Sequence, residues 1–487
     1  MKQKLLLSLF ILLTATTAWA DVEINETNFP DENFRNWLLE LEYGKDSLLV
    51  EGEIAKVKSI DLRNMDIRSL KGIEYFTALE ELICIDNELT ELDLSNNPGI
   101  ESLYCYRNKL TELDVSKNTA LVLLSCSNNQ LTELDLSKNN DVTELYCYSN
   151  KLTDLDVSKN VKLYRLYCWD NQLTTLNVSG CTALADLSCN NNQLTELDVS
   201  KNTALEGLGC ASNQLTALDV SKNTKLLNLY CYENQLKAID VSKITDLVYL
   251  HCYDNLLPKL DVSKNTKLTE LSCYNNQLTS LEVSKNVELT SLSCYSNQLT
   301  SLDVSKNVEL TYLSCRNNLL KALDVTKNIN LTNLFCFDNQ LTSLDVSQNT
   351  KLRTLWCSGN RLSSLDLSQN TVLTKLYCYQ NQIKGSGMDA MVKSLPAVNE
   401  SYLYVIYSEN EQNDMTAEQA AAAKAKGWTA YFYDGSNWME YTSPDGIECL
   451  TPALSLRDGV WYDLSGRRLS KPQRGLNIIG GKKITIK

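Results

Sequence analysis

A 21-residue period runs from Leu82 to Gln382 with almost no slippage, and it leaves few folds open to the chain. One copy, Leu103 to Asn118, reads LYCYRNKLTELDVSKN. It has two halves. The first is L-x-C-x-x-N, as in Leu103, Cys105 and Asn108; the second is L-D-V-S-K-N, as in Leu113, Val115 and Asn118. Self-similarity at such a period marks a stacked solenoid. The alternation over Leu103-Tyr104-Cys105-Tyr106 predicts a short strand with Leu and Cys inward. Leu113-Asp114-Val115 alternates in the same way and predicts a second short extended segment. Nothing inside the array carries a helical period, so each unit reads as one flat coil. A lone coil cannot bury enough apolar surface to offset the entropy of ordering it, and stacking of neighbours closes that gap. Asn108, Asn129 and Asn150 then form a column at the bend after the strand, where their amides can satisfy backbone groups the turn leaves unpaired.

The pattern LxxLxCxxNxLxxLDVSxN resembles the leucine-rich repeat superfamily and is most similar to its bacterial 21-residue, Irreko-type subclass. The resemblance covers about two thirds of the chain. It implies a leucine-rich repeat solenoid of stacked coils with short parallel strands. Departures are few: Cys181 and Ile244 replace the second Asn, Glu282 replaces Asp, and Pro258 interrupts one turn.

Lys2 and Lys4, the apolar run Leu5 to Leu13 and Ala18-Trp19-Ala20 read as a secretory signal over residues 1–20, cut before Asp21. No later stretch is apolar enough to span a membrane. A net charge of −14 makes nucleic acid and anionic membrane poor partners. Most of the 17 cysteines, from Cys84 to Cys378, recur with the period and stack in one column. In-register Cβ atoms about 4.8 Å apart are too distant for the roughly 3.8 Å a disulfide wants, so the column reads as buried thiols acting as small hydrophobes. A single file also offers no tetrahedral set for zinc. Cys181 and Cys449 lie outside that column.

Five regions are expected: the signal, 1–20; an N-terminal helical cap, 21–56; the solenoid, 57–384; an α/β C-terminal cap, 385–440; and a β-rich module, 441–487. In the first cap, Asn28 or Phe29 precedes Pro30 at the first helical position, and Phe34, Trp37, Leu38 and Leu41 make the apolar face. The segment from Glu42 to Glu53 resembles the EF-hand-like loop of related caps, but Ser47 stands where the turn glycine belongs and too few ligands remain for calcium. Residues 57–76 form an atypical first coil. Beyond Asn381, Met388, Met391, Val392 and Leu395 mark a short helix. Tyr402–Tyr407 and Thr429–Tyr433 read as strands, and Thr416-Ala417-Glu418-Gln419 is a capping box opening an Ala-rich helix that Gly427 ends. Residues 436–444 read as linker. The final runs YDLSGRRL and GKKITIK resemble the C-terminal modules of exported Bacteroidetes proteins, including type IX secretion sorting domains, which implies a sorting or attachment role. The GLNIIGG segment departs from that pattern.

Catalytic sets are missing. His251 is the single histidine and reads as a surface substitution; Ser-His-Asp, Cys-His and His-metal sites all need more. No phosphate-binding glycine loop is present. Asp114, Asp135, Asp156 and Asp198 repeat with the coil, three residues before Lys117, Lys138, Lys159 and Lys201, and read as a charge-balanced solvated face. No enzyme activity, metal or cofactor is expected. The outward positions flanking the cysteines differ, because most of the chain's tyrosine gathers there. They hold Tyr104, Tyr106, Tyr146, Tyr148, Tyr167, Trp169, Tyr230, Tyr232, Tyr253, Tyr274, Tyr295, Phe335, Phe337, Trp356, Tyr377 and Tyr379, with Ser125, Ser127, Ser272, Ser293 and Ser314 between. A cross-strand aromatic ladder can serve stability alone. Tyr-rich surfaces mixed with Ser and Asn also make rigid recognition faces. The expected function is binding of an extracellular protein, host or bacterial, by a secreted or surface-exposed chain; resemblance to surface leucine-rich adhesins implies such a partner. Glycan capture on the aromatic rings and a structural spacer are the alternatives. Two patches are expected to carry the binding: Tyr146, Tyr148, Tyr167 and Trp169, and Phe335, Phe337, Trp356, Tyr377 and Tyr379.

Overall fold

The structure is a computed structural model that describes residues 21–407 and 410–441 and the backbone of four strands between 461 and 486. The expected signal, 1–20, and Cys449 lie outside the described residues. The chain divides into two compact units, meeting in sequence between Leu205 and Glu206.

In the first unit, three-residue strands at Ser59–Asp61, Glu81–Ile83, Ser102–Tyr104, Leu123–Ser125, Glu144–Tyr146, Arg165–Tyr167 and Asp186–Ser188 pair parallel and in register. Leu82, Leu103, Leu124 and Leu145 therefore stack directly. The strands are short because each coil must turn. The turn is made three residues after the strand's central Leu plus one more, by Asp86, Arg107, Asn128 and Ser149, all at φ of 54–55°. Asn and Asp tolerate this left-handed conformation better than Arg does. Each turn leaves backbone groups unpaired, and the first Asn column takes them. Asn108 Nδ2 donates to the carbonyls of Cys84 and Cys105 (2.9 and 3.1 Å), while Oδ1 accepts from Leu89 N–H (3.0 Å). The same arrangement repeats at Asn129 and Asn150. The column acts as the sequence expected.

The second halves of the coils are extended, but in this unit only Asp154–Asp156 and Thr175–Asn177 pair as strands. The Asp–Lys face is exposed, and its carboxylates also have a local partner. Asp114 Oδ1 accepts from Ser116 N–H at 2.8 Å, and this bond, ahead of Lys117, holds its carboxyl below the ordinary value. A turn-forming side chain two residues from its donor has less chain to order than a lysine ammonium does. Glu282, the exception in sequence, makes the same bond to Ser284 N–H.

The N-terminal cap contains helix α1, Glu32–Glu40, with Phe34 and Leu38 buried. Its N-cap is Asp31, so Pro30 precedes the cap instead of opening the helix. The two carboxylate oxygens decide this: Oδ1 accepts from Phe34 N–H and Oδ2 from Arg68 N–H of the first coil (3.0 and 2.7 Å), joining helix to solenoid.

In the second unit, strands from Gly207–Gly209 to Lys375–Tyr377 likewise pair parallel and in register with one another, and Ser401–Ile406 and Trp428–Tyr433 extend that unit's sheet in parallel. Between them lie helix α2, Ser386–Ser394, with Met388, Met391 and Val392 buried, and helix α3, Ala417–Lys424, opened by the expected Thr416/Gln419 capping box. Gly427 stops α3 at φ +87°, and an added Cβ would stand 1.8 Å from the Val398 carbonyl oxygen, so only glycine fits. Residues 436–444, expected as linker, instead include Trp438–Glu440, which pairs antiparallel with Trp428–Tyr433 across a turn held by Asp434 Oδ1. The masking feature was the short, polar Asp-Gly-Ser-Asn turn, which is a hairpin signal more than a linker. The four C-terminal strands, Trp461–Tyr462, Arg468–Leu469, Gly475–Ile479 and Lys482–Ile486, form an antiparallel sheet, as the β-rich reading anticipated.

The core of both units is Leu, Val and Cys. All sixteen described cysteines are buried and free. Cys181 fills the second Asn column, and its thiol reaches the Val157 carbonyl (3.1 Å) where an Asn amide would.

Candidate binding face

The Leu–x–Cys strand sends Leu and Cys inward and the two flanking residues outward, so residues one period apart meet side by side. In the first unit Tyr148 and Trp169 stack with centroids 4.2 Å apart and planes 7° apart, and Tyr146 meets Tyr167 edge-on at 5.4 Å. Polar groups lock this patch. Arg165 bridges Glu144 (3.1 Å) and the Tyr146 hydroxyl (3.2 Å), and the Tyr167 hydroxyl donates to Asp186 (2.6 Å). Burial, followed by the bond to Asp186, pushes the Tyr167 hydroxyl up to about 12, so it stays a neutral donor. The first expected patch is thus assembled. Tyr104 and Tyr106 stand on the same face, half-buried.

In the second unit the ladder is longer than expected. Tyr232, Tyr253, Tyr274 and Tyr295 stack successively at 4.3, 4.2 and 4.1 Å. The Arg316 guanidinium follows, 3.8 Å from the Tyr295 centroid and 5.2 Å from that of Phe337. Phe337 stacks on Trp356 at 4.3 Å and Trp356 on Tyr377 at 4.6 Å. Phe335 lies tilted against Trp356 at 6.4 Å. Within this unit the second patch is therefore one end of an unbroken stack that begins at Tyr232. It also runs on into the cap: Tyr377 stacks on Tyr404 (4.3 Å) and Tyr379 on Tyr407, while Trp438 of the hairpin stands edge-on to Tyr404 at 4.9 Å. Tyr404, Tyr407, Tyr431, Tyr433 and Trp438 were missed as site residues because they lie outside the period. The alternation in Ser401–Ile406 was the signal that could have found them.

One expectation for this face changes. The serines between the rings are covered: Ser125, Ser272 and Ser314 are buried, and Ser127 is fully so. An aromatic ring is wider than the spacing between coils, so its neighbours overhang a small residue. His251 is no ordinary surface substitution. It is half-buried, edge-on to Tyr230 at 5.1 Å, with Nε2 3.0 Å from Glu270 Oε1. Tyr230 thus joins the ladder through an imidazole.

Stacking decides what the face offers. Ring faces in the Tyr232–Tyr295 run are pressed against one another, leaving edges and hydroxyls outward. Burial pushes the Tyr253 hydroxyl up to about 12 and raises that of Tyr274 further, so these groups remain neutral hydrogen-bonding hydroxyls at neutral pH. Among the described residues no cluster of three or more His, Cys, Asp or Glu could hold a metal ion.

A family model for leucine-rich repeats in two copies matches residues 329–370. Internalin J of Listeria monocytogenes is 40% identical over 70 residues, a stretch covering 14% of this chain and 8% of that protein. The solved functional domain of the Listeria protein InlJ, which includes a cysteine ladder, is 35% identical with a TM-score of 0.65 over 80% of this chain and 82% of that one. The chain belongs to the bacterial leucine-rich repeat proteins.

As a leucine-rich repeat protein it shares with the InlJ domain a cysteine ladder, formed here by Cys84 to Cys378. A plant peptide hormone receptor, RGFR1 in complex with RGF2, has the same fold at 18% identity (TM-score 0.64; 77% of this chain, 70% of that one). The chain spans only a small part of the curated relative's length. Among the described residues no helix is long and apolar enough to cross a membrane.

Proposed function

We propose that this protein is secreted or displayed on the outer cell surface and binds an extracellular protein, host or bacterial, through the aromatic face of its leucine-rich repeats. The observation that carries this reading is the ladder itself. Its rings are held rigid by their neighbours at 4.1–4.3 Å, so ordering them on binding costs little entropy, and it presents a row of neutral hydroxyls and ring edges. The site residues remain those named from the sequence, joined by Tyr404, Tyr407 and Trp438. The same ladder favours protein over glycan. Sugar rings dock on open aromatic faces, and in the Tyr232–Tyr295 run those faces are occupied. Similarity to the internalin J domain supports a binding role without catalysis, and a plant receptor of the same fold in complex with a peptide hormone is an instance of this architecture presenting a binding face.

The secretory pattern at 1–20 supports export, and the β-rich module at 441–487 fits sorting or attachment. The helical cap at 21–56 and the α/β cap at 385–440 close the open ends of the array at 57–384. No metal or cofactor takes part. The test is a screen of the mature chain against extracellular-matrix protein and glycan arrays, with a variant carrying Ser at Tyr148, Trp169, Phe337 and Trp356. Protein ligands captured by the native chain and lost by the folded variant support the reading. Capture that survives in the variant refutes it, and capture of glycans alone overturns the choice of protein.

A further inference from the structure

We infer that Arg316 is the anchor of this face and receives a carboxylate, an Asp or Glu side chain, from the protein partner; the inference rests on the binding reading above. Arg316 occupies a ladder position that holds a ring in the coils on either side, Tyr295 and Phe337. Its guanidinium carbon lies over the rings of Tyr295 and Phe337, at 3.8 and 5.2 Å from their centroids. Contact with the two rings restrains the guanidinium without using its N–H donors. Among the described residues no carboxylate comes within ion-pair distance of that fork and no acceptor hydrogen-bonds it. The chain treats other arginines on this face differently: Arg63, in the same column as Arg316, pairs with Asp61 at 2.7 Å, and Arg165 is enclosed by Glu144 at 3.1 Å and Asp186 at 3.7 Å.

Asp338, one coil on, is an acid whose charge interacts with Arg316, and its placement explains why Arg316 is unpaired. The Asp338 carboxylate leans onto the following coil, where its Oδ1 stands 2.1 Å from the point a Cβ on Gly359 would occupy. Gly359 is a glycine in a column of turn residues that elsewhere are Asp, Asn, Ser, Glu, Arg or Gln, and its missing side chain gives Asp338 that seat. Burial raises the Asp338 carboxyl, and the more distant Arg316 charge lowers it only as a secondary effect. Asp338 thus biases the field near Arg316 without occupying its donors.

A planar fork with a free edge matches a carboxylate through two parallel hydrogen bonds. The chain's charge of −14 opposes ligands with dense negative charge, which excludes polyphosphate or nucleic acid and leaves a single carboxylate. A carboxylated sugar would need an open ring face beside Arg316, and both neighbouring rings turn a face to the guanidinium instead. A protein segment needs only the edge.

The experiment selects binders to the mature chain from a random-peptide display library, then measures their affinity for the native chain and for Arg316→Gln and Arg316→Lys, with melting temperatures to verify folding. The expected result is selected peptides that carry an Asp or Glu whose exchange for Asn or Gln weakens binding to the native chain about tenfold. That exchange has no effect on binding to Arg316→Gln, and Arg316→Lys, which keeps charge but not the fork, recovers only part of the coupling. Peptides that bind the face without any acid requirement, or whose acid matters equally to Arg316→Gln, overturn the inference while leaving the binding face intact. A library that yields no binder to the native chain overturns both. Arg316-dependent capture on an array of sialylated and uronate-bearing glycans, with no peptide binders, overturns the choice of protein.

Discussion

The two asparagine columns look alike in sequence, and the structure makes them unequal in energy. Asn150, in the column after the cysteine strand, uses both ends of its amide: Oδ1 accepts from Leu131 N–H at 3.0 Å, and Nδ2 donates to the Cys126 and Cys147 carbonyls at 3.1 Å each. The two carbonyls keep a second donor in Asn129 and Asn171. The buried Leu131 N–H has no other partner. Truncating Asn150 to Ala therefore orphans one buried donor, at about 1–3 kcal/mol, and removes two further bonds at about 1 kcal/mol each, roughly 3–5 kcal/mol in all. Asn139, in the second column, donates to Val115 and Asn118 carbonyls at 2.9 Å, but its own buried Oδ1 has no partner. Those carbonyls also accept from Asn118 N–H and Leu121 N–H. Asn139→Ala loses two bonds but removes the orphaned oxygen, so its cost is roughly 1–2 kcal/mol. The chain already places Cys181 and Ile244 in the second column, whereas the first is Asn from Asn87 to Asn381 without exception. Repeat stacks open locally, so the assay is native-state hydrogen exchange of the amides in neighbouring coils, backed by urea unfolding. A difference of about 2 kcal/mol accelerates exchange about 30-fold in Asn150→Ala relative to Asn139→Ala. Equal acceleration in the two variants would refute the reasoning.

Three further outcomes are expected. The cysteines are buried, with burial pushing thiols such as Cys84, Cys126 and Cys231 up to about 12, so thiolate is scarce at pH 8. Thiol titration of the folded protein should find little reactivity and nearly full reactivity in denaturant without reductant; sulfurs already paired would contradict this. Acid should destabilise the array: Asp114, Asp219 and Asp240 have folded values held below the ordinary carboxylate value by hydrogen bonds from Ser116 and Ser221 N–H and, for Asp240, from the Ser242 side chain first and its N–H second. Their contribution is fully present above the unfolded value of about 3.9 and disappears as pH falls through the lower folded values. Melting temperatures that stay level from pH 5 to pH 2 would contradict it, since the raised Glu411 and Asp338 carboxyls work in the opposite direction and are far fewer. Replacing Tyr148 and Trp169 together by Ser removes one stacked pair, about 0.5–1.5 kcal/mol beyond the buried area, and leaves a folded chain, because Ser125 and Ser127 already occupy such positions. Circular dichroism melts check the folding, and loss of ligand capture checks the face; unchanged affinity with both patches replaced would reduce the ladder to a stabilising device.

Much of the fold was legible because the period fixes neighbours. Once Leu103 and Leu124 are one repeat apart, stacking follows, and with it the columns of Leu, Cys and Asn. The capping box at Thr416 was equally readable, since both partners lie within one helical turn. Features that depend on competition between partners were harder. Pro30 suggested a helix start, and Asp31 took it because its second oxygen reaches Arg68, far along the chain. Asp114 stands on the expected solvated face, but its hydrogen bond from Ser116 N–H was not read from the sequence.

The sequence by itself determined the solenoid, the inward Leu and Cys and the concentration of aromatics on one face. All of these follow from a repeat that places like residues side by side. Tertiary structure alone decided how the side chains on that face use one another. It stacked the Tyr232–Tyr295 rings so that edges face outward, carried the ladder into Tyr404 and Trp438 beyond the period, set His251 against Glu270, and turned Asp338 onto Gly359. The physical reason is that a period specifies which residues are neighbours, whereas rotamer, overhang and the choice among hydrogen-bond partners depend on the space each neighbour leaves.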